Sequence, residues 1–204
     1  LVGSEMCIRD STSSFSSTND CTDEFSQDSW RVAANATTGA FSHQLAYSDT
    51  QIDRDSFSEG VSSVATEGAL ERLSYVGSWQ GGNALRLIYG ADHETESIDD
   101  GSTDRDRDQL GFFAEYQGRI MELLSLSAGV RHDDNDDFGQ FTSYRLSGAY
   151  VTTVAGGDFK LKASYGTGFR APSLFEISYN TGPFAFPPAT SAPLSEETLS
   201  LIHI

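Results

Sequence analysis

The chain has 204 residues, with 30 acidic against 13 basic side chains, a formal net charge of -17, and 38% hydrophobic and 11% aromatic residues. So acidic a balance excludes a nucleic-acid partner, because phosphate contact needs clustered Lys and Arg. No apolar run of about 18 residues occurs, which excludes a transmembrane helix but leaves a transmembrane barrel open, since barrel strands are short and alternate.

Taken in chain order, period-2 alternation bounded by turn residues predicts about eight strands. In 30–37, Trp30, Val32 and Ala34 alternate with Arg31 and Asn35, and Thr38-Gly39-Ala40 makes a turn into 41–48, where Phe41, Leu45 and Tyr47 alternate with Ser42 and Gln44. After a polar stretch at 49–71, Leu73, Tyr75 and Trp79 alternate with Arg72 and Ser74 in 72–79; Gln80-Gly81-Gly82-Asn83 then turns into 84–92, with Leu85, Leu87 and Tyr89 against Arg86. Beyond the acidic stretch 93–108 come 109–117 (Leu110, Phe112, Tyr116 against Glu115) and 124–133 (Leu124, Leu126, Val130 against Ser125, Ser127, Arg131). Last are 141–151 (Tyr144, Leu146, Tyr150 against Ser143, Arg145) and 159–170 (Phe159, Leu161, Tyr165 against Lys160, Lys162).

One face of every strand is apolar and the other is polar or cationic, as a sheet between lipid and an aqueous lumen requires; an Arg or Lys on the lipid side costs roughly 2–4 kcal/mol at the midplane. The lumen-facing charges on this phase are Arg31, Arg86, Arg131, Arg145, Lys160, Lys162 and Arg170. Short connections (38–40, 80–83, 118–123, 152–158) alternate with long ones (49–71, 93–108, 134–140 and the segment after Arg170), so the short end reads as periplasmic and the long, acidic end as extracellular. Phe41, Trp79, Tyr116, Tyr150 and Phe159 lie beside short turns, and Tyr47, Tyr89 and Tyr165 lie toward the long loops, as two aromatic girdles would. Alternation also suits a soluble sandwich or propeller whose aromatics are core.

The wording of three segments decides between these. Tyr165-Gly166-Thr167-Gly168-Phe169-Arg170-Ala171-Pro172-Ser173-Leu174-Phe175-Glu176 resembles the signature of TonB-dependent outer-membrane receptors, in which a late barrel strand ends in a Gly-Phe-(Arg/Lys)-Ala-Pro run. The run from Ala128 to Gly139, which includes Gly129-Val130-Arg131-His132-Asp133, is similar to the cobalamin- and siderophore-receptor-like branch of that family. Ala192-Pro193-Leu194-Ser195-Glu196-Glu197-Thr198 is similar to the family's Asn-Pro-x-Leu-x-Pro-Glu element, departing from it at Ala192 and Glu196.

The resemblance spans roughly residues 29–198 and implies an all-β fold: an antiparallel up-and-down transmembrane barrel, of about 22 strands in the whole receptor, around a plug. Such a barrel needs at least about 400 residues, so this chain is expected to be a fragment supplying wall, lumen and extracellular loops. It also implies a bacterial outer-membrane location and TonB-coupled uptake of a scarce solute, a ferric siderophore or cobalamin. The expected partners are outer-membrane lipid, the solute, the receptor's own plug and TonB, with no cofactor and no enzymatic step. A passive porin-like barrel is the alternative, with a soluble β-sandwich behind it.

Residues 1–11 and 199–204 resemble translated sequencing-adapter read-through, so the receptor portion is expected at 12–198. With Cys7 in that flank, Cys21 stands alone and no disulfide framework is expected. Asp133, Asp134, Asp136 and Asp137 are calcium-type ligands, but their spacing lacks the Gly and Glu of a calcium-binding helix-loop-helix, so a solvated acidic loop is the expectation. His93 and His132 each lack a second His or Cys at ligand spacing. Gly166-x-Gly168 lacks the third glycine of a dinucleotide loop, and both glycines fall on the lumenal face, where backbone or a plug can come close.

Overall fold

In the computed structural model, which describes residues 21–82, 84–120, 123–181 and 194–203, each alternating run is a strand and each strand is hydrogen-bonded to the next in chain order. The strands are β1 (Cys21–Thr38), β2 (Phe41–Ser58), β3 (Val61–Gln80), β4 (Leu85–Asp99), β5 (Asp104–Ile120), β6 (Leu124–Asn135), β7 (Gly139–Val154) and β8 (Gly157–Arg170). A helix, α1 (Leu174–Thr181), and a ninth strand, β9 (Glu197–His203), follow. All pairs are antiparallel, and the sheet is open, with β1 and β9 at its edges.

Register settles the strand phase. A single hydrogen-bonded row runs Phe41, Trp79, Leu87, Tyr116, Ala128, Leu146, Tyr165. Residues paired across an antiparallel ladder share a face, so all the apolar residues named above stand on one side, and Arg31, Arg72, Arg86, Arg131, Arg145, Lys160 and Lys162 on the other. Among the described residues none forms a second layer over the sheet's apolar side: Trp30, Leu45, Phe112, Tyr144 and Leu146 are each more than half exposed. Among the described residues, only Ala46, Ile98 and Leu174 are buried hydrophobics. A soluble sandwich buries its apolar face against a second sheet, so this arrangement corrects the sandwich alternative. Lipid is the solvent that such a face fits.

The same row measures the slope of the strands. Phe41 is the first residue of β2, Tyr116 lies four residues from the end of β5, and Tyr165 lies eight from the start of β8. Eight residues of slip over six strand spacings is about 26 Å along the strands against about 29 Å across them. That gives a tilt of about 42°, inside the range of roughly 35–45° found in transmembrane barrels.

Three expectations about the connections are corrected. Residues 49–71 and 93–108 are not loops: β2 and β3 run on to a two-residue turn at Glu59-Gly60, and β4 and β5 to a turn between Asp99 and Asp104. Likewise 134–140 is mostly strand, since Asn135 still pairs with Gly139. The backbone ladder needs no apolar side chains once both faces are in water, so the hairpins continue past the roughly 9–11 residues that cross lipid. β3 has 20 residues, about twice that length. Glu59 (φ 53°) and Gly60 (φ 75°) take the left-handed pair of conformations that tightly closes such a hairpin. The asymmetry of the two ends therefore lies in strand overshoot.

The segment after Arg170 is a further difference, holding α1 and β9 where only a long connection was expected. Residues 199–203, expected to lie outside the receptor portion, pair with β8 in the structure. Their phase is opposite to that of the other strands, placing Leu199 and Leu201 on the lumenal side against Gly168 and Gly166. The flank 1–11 with Cys7, and Ala192 and Pro193 of the third motif, lie outside the described residues.

Candidate functional site

The lumenal face carries two tiers of charge at its long-hairpin end. The lower tier spans β3 to β6. Arg72 donates from Nη2 to Asp92 Oδ2 at 2.9 Å, and Arg131 donates from its own Nη2 to Asp92 Oδ1 at 2.7 Å and from Nε to Asp133 Oδ1 at 2.8 Å. Asp92 is only 5% exposed and is flanked by two guanidinium groups, which offset the cost of removing its charge from water. Arg131 reaches Asp92 across an intervening strand because the residue between them is Gly111, paired with both Asp92 and Asp133. A Cβ at position 111 would run into the Arg131 guanidinium and press on Asp92 Oδ1.

The upper tier centres on Arg107, whose side chain is 9% exposed. Its Nη2 donates to Glu96 Oε2 at 2.5 Å, and its Nη1 donates to the Pro172 carbonyl at 2.7 Å. Asp137 pairs with Arg105 and stands 3.8 Å from Arg107 Nη1. The contact to Pro172 links residues 65 apart in the chain and seats α1 over the lumenal side of β4 and β5.

α1 starts where it does for a local reason. Ser173 and Glu176 form a reciprocal cap: Glu176 N–H donates to Ser173 Oγ at 3.2 Å, and Ser173 N–H donates to Glu176 Oε2 at 2.8 Å. Pro172 precedes the cap, where its missing N–H costs nothing. The Ser173 amide, with the Arg170 guanidinium beside it, holds the Glu176 carboxyl below its ordinary range. At the other end of the seat, the Ser178 hydroxyl and then the Ser102 amide donate to Asp100 and lower its carboxyl similarly. Leu174 is 1% exposed beneath the helix.

The expected site residues distribute as follows. Arg131 joins the lower tier. Arg170 is paired with Glu176 at 2.9 Å and with Glu197 at 3.5 Å. Arg86 and Lys162 line, with Arg119, Ser127 and Ser147, a hollow of about 580 Å³ at the short-turn end. Arg31 reaches Gln44 at 3.4 Å, Arg145 lies near Glu115, and Lys160 is exposed. Gly166 and Gly168 are lumenal and face β9, while Phe169 stacks on Phe141 at 4.7 Å.

The four aspartates do not converge. Asp133 pairs with Arg131; Asp134 accepts from Gln140 Nε2, Asp136 from the Asp108 amide, and Asp137 from Arg105. His93 lies 3.7 Å from Asp108, and His132 Nδ1 is 2.8 Å from Thr142 Oγ1, both on the outer face. Among the described residues, no three His, Cys, Asp or Glu side chains gather at metal-binding distance.

Of the aromatics, Tyr47 packs against Trp30 with ring centroids 5.2 Å apart and planes tilted by 51°, and it donates to Glu71 at 2.8 Å. Tyr89 departs from its expected place: it stands four residues from Leu85, as Tyr116 does from Ile120, and so belongs with the short-turn group of Phe41, Trp79, Tyr116, Tyr150 and Phe159.

Sequence reasoning passed over Asp92, Glu96, Arg107, Gly111 and the Ser173–Glu176 cap. The last had a signal, Ser-x-x-Glu directly after Pro. It also passed over His43, which stands on the apolar face with Nδ1 2.7 Å from Tyr75 Oη, between Phe41 and Tyr75.

The TonB dependent receptor-like β-barrel model matches residues 8–198. The chain belongs to that family. Its location is accordingly the bacterial outer membrane. Over 89 residues it is 34% identical to the vitamin B12 transporter BtuB of Vibrio cholerae serotype O1, covering 43% of this chain and 14% of that protein. Over 108 residues it is 29% identical to the vitamin B12 transporter BtuB of Photobacterium profundum, covering 50% and 17%. The siderophore receptor PirA of Pseudomonas aeruginosa has the same fold, with a TM-score of 0.70 at 20% identity over 87% of this chain and 35% of PirA. The TonB-dependent receptor chain described here thus spans about a sixth of the length of these curated relatives.

Proposed function

We propose that the chain is part of the barrel wall of a receptor that binds a scarce solute at the cell surface and passes it inward by TonB-coupled active transport, with its plug supplied by the rest of the protein. The family match over 8–198 carries this reading, and the tilted, two-faced sheet supports it. The overshooting acidic hairpins would stand outside the cell, and the short turns would face the periplasm. The work is binding and gated passage, with no covalent step.

For the solute, a cobalamin-type ligand is the first reading, because the matched curated relatives are named as vitamin B12 transporters. A ferric siderophore is the second, through likeness to a siderophore receptor in fold. The full-length gene, expressed in cells lacking their own receptors, should restore accumulation of radiolabelled cyanocobalamin or of a ferric chelate, and only when TonB is present. Accumulation that is indifferent to TonB would make this a passive pore and overturn the reading.

A further inference from the structure

The clasp on α1 has two acceptors for one donor. Arg107 Nη1 donates to the Pro172 carbonyl, while Asp137 Oδ2, a buried side-chain oxygen without a hydrogen bond, sits 3.8 Å from the same Nη1. The segment carrying Pro172 leaves the end of β8 and reaches β4 and β5, crossing three strand spacings of the lumenal face, about 14 Å. Its seat includes one buried large apolar side chain, Leu174, whereas Phe175 and Tyr179 point away, 55% and 62% exposed. Its polar anchors include Glu96, Asp100, Thr103 and Arg107 of the β4–β5 hairpin. A short helix that meets the sheet through a single hairpin belongs to the part of a fold that opens first. A guanidinium with a second acceptor at hand loses little when the first departs.

We propose that residues 171–181 form a strap across the lumen mouth with two positions, seated when Arg107 holds the Pro172 carbonyl and released when Arg107 turns to Asp137, and that the solute passes in the released position. The passage clause rests on the transport reading; the two-position clasp does not.

Two measurements on the full-length receptor in cells separate them. A cysteine at Leu174 is labelled with a membrane-impermeant maleimide. Arg107→Ala should raise its labelling rate about tenfold or more, and Asp137→Ala, which removes the waiting acceptor, should lower it. Equal rates in all three backgrounds, or a rise with Asp137→Ala, would overturn the clasp. Asp100→Cys with Ser178→Cys then ties the strap to its seat. Oxidised, this receptor should take up radiolabelled cyanocobalamin or the ferric chelate at least about tenfold more slowly than after reduction. Equal uptake in both states would overturn the gating role. Absence of uptake in both, and in the unmodified receptor, would count against the transport reading while the labelling rates still decide the clasp.

Discussion

Placing an arginine at Leu146 tests the two-faced reading most directly. Leu146 is on the outer face, 53% exposed, in the row that joins Ala128 to Tyr165. Eight residues of strand at about 3.3 Å each and about 42° of tilt put it about 19 Å above the β7–β8 turn, near the middle of an apolar band about 25 Å tall that begins a few ångströms above that turn. An Arg at that depth costs about 2–4 kcal/mol, about 30- to 700-fold in the folding equilibrium. Ser127 faces the lumen, where its hydroxyl donates to Glu115 at 2.9 Å, so an Arg there meets water and a carboxylate. The assay is reversible urea unfolding of the full-length receptor in lipid vesicles, read from the folded band that resists unheated detergent electrophoresis. Leu146→Arg should lose about 2–4 kcal/mol and Ser127→Arg less than about 1. Equal losses for the two would show that neither face is bathed in lipid and would refute the phase.

Gly111→Ala should lower stability by about 1–3 kcal/mol by pushing Arg131 off Asp92, while Gly68→Ala, whose added Cβ would meet only the Ser97 carbonyl at 3.7 Å, should leave the Arg131 contacts intact; unfolding midpoints compare them, and a neutral Gly111→Ala would show that the lower tier tolerates a methyl group. Ser173→Ala removes one half of the helix cap and should cost about 1 kcal/mol, seen as faster amide hydrogen exchange within α1 alone; unchanged exchange would show that the cap does not hold the helix. Because the Glu176 and Asp100 carboxyls are held below their ordinary range in the folded state, what they add to the seating of α1 is complete above that range and fades as pH falls through and below about 4. Exchange protection in α1, corrected for intrinsic rates, should thus be flat from about pH 8 to 5 and decline below about 4; a decline centred near pH 6.5 would assign the seat to a histidine instead. Cysteines at Ser97 and Ser102 should react with an impermeant thiol reagent on intact cells and one at Gly81 only after the outer membrane is breached; the reverse pattern would invert the orientation.

The strand phase was legible in the sequence because lipid accepts so little: Leu85, Leu87 and Tyr89 cannot be exchanged for their neighbours without placing Arg86 in hydrocarbon. Where the strands leave lipid that constraint lapses. Asp49, Asp53 and Asp55 look like a loop because both faces are wet, yet the ladder continues through them. The charge tiers were illegible for another reason. Arg72, Asp92 and Arg131 come from three strands, and which rungs align is set by the slip between hairpins, a quantity that no single strand encodes. Arg107 was hidden by its company, lying between Asp106 and Asp108 in what read as a solvated acidic run.

The slope of the ladder has a consequence for how depth maps onto sequence. Partners in a row are joined by hydrogen bonds but climb away from the short-turn end as the row crosses the sheet, so Phe41 and Tyr165 share a row while Phe41 stands at that end and Tyr165 about 19 Å above it. Contours of equal immersion therefore cut diagonally through the hydrogen-bond pattern, linking Phe41 to residues such as Phe159. A substitution series meant to sample one depth should follow those diagonals; one that follows paired residues would pass from the short-turn interface to beyond the bilayer midplane and average the two environments together.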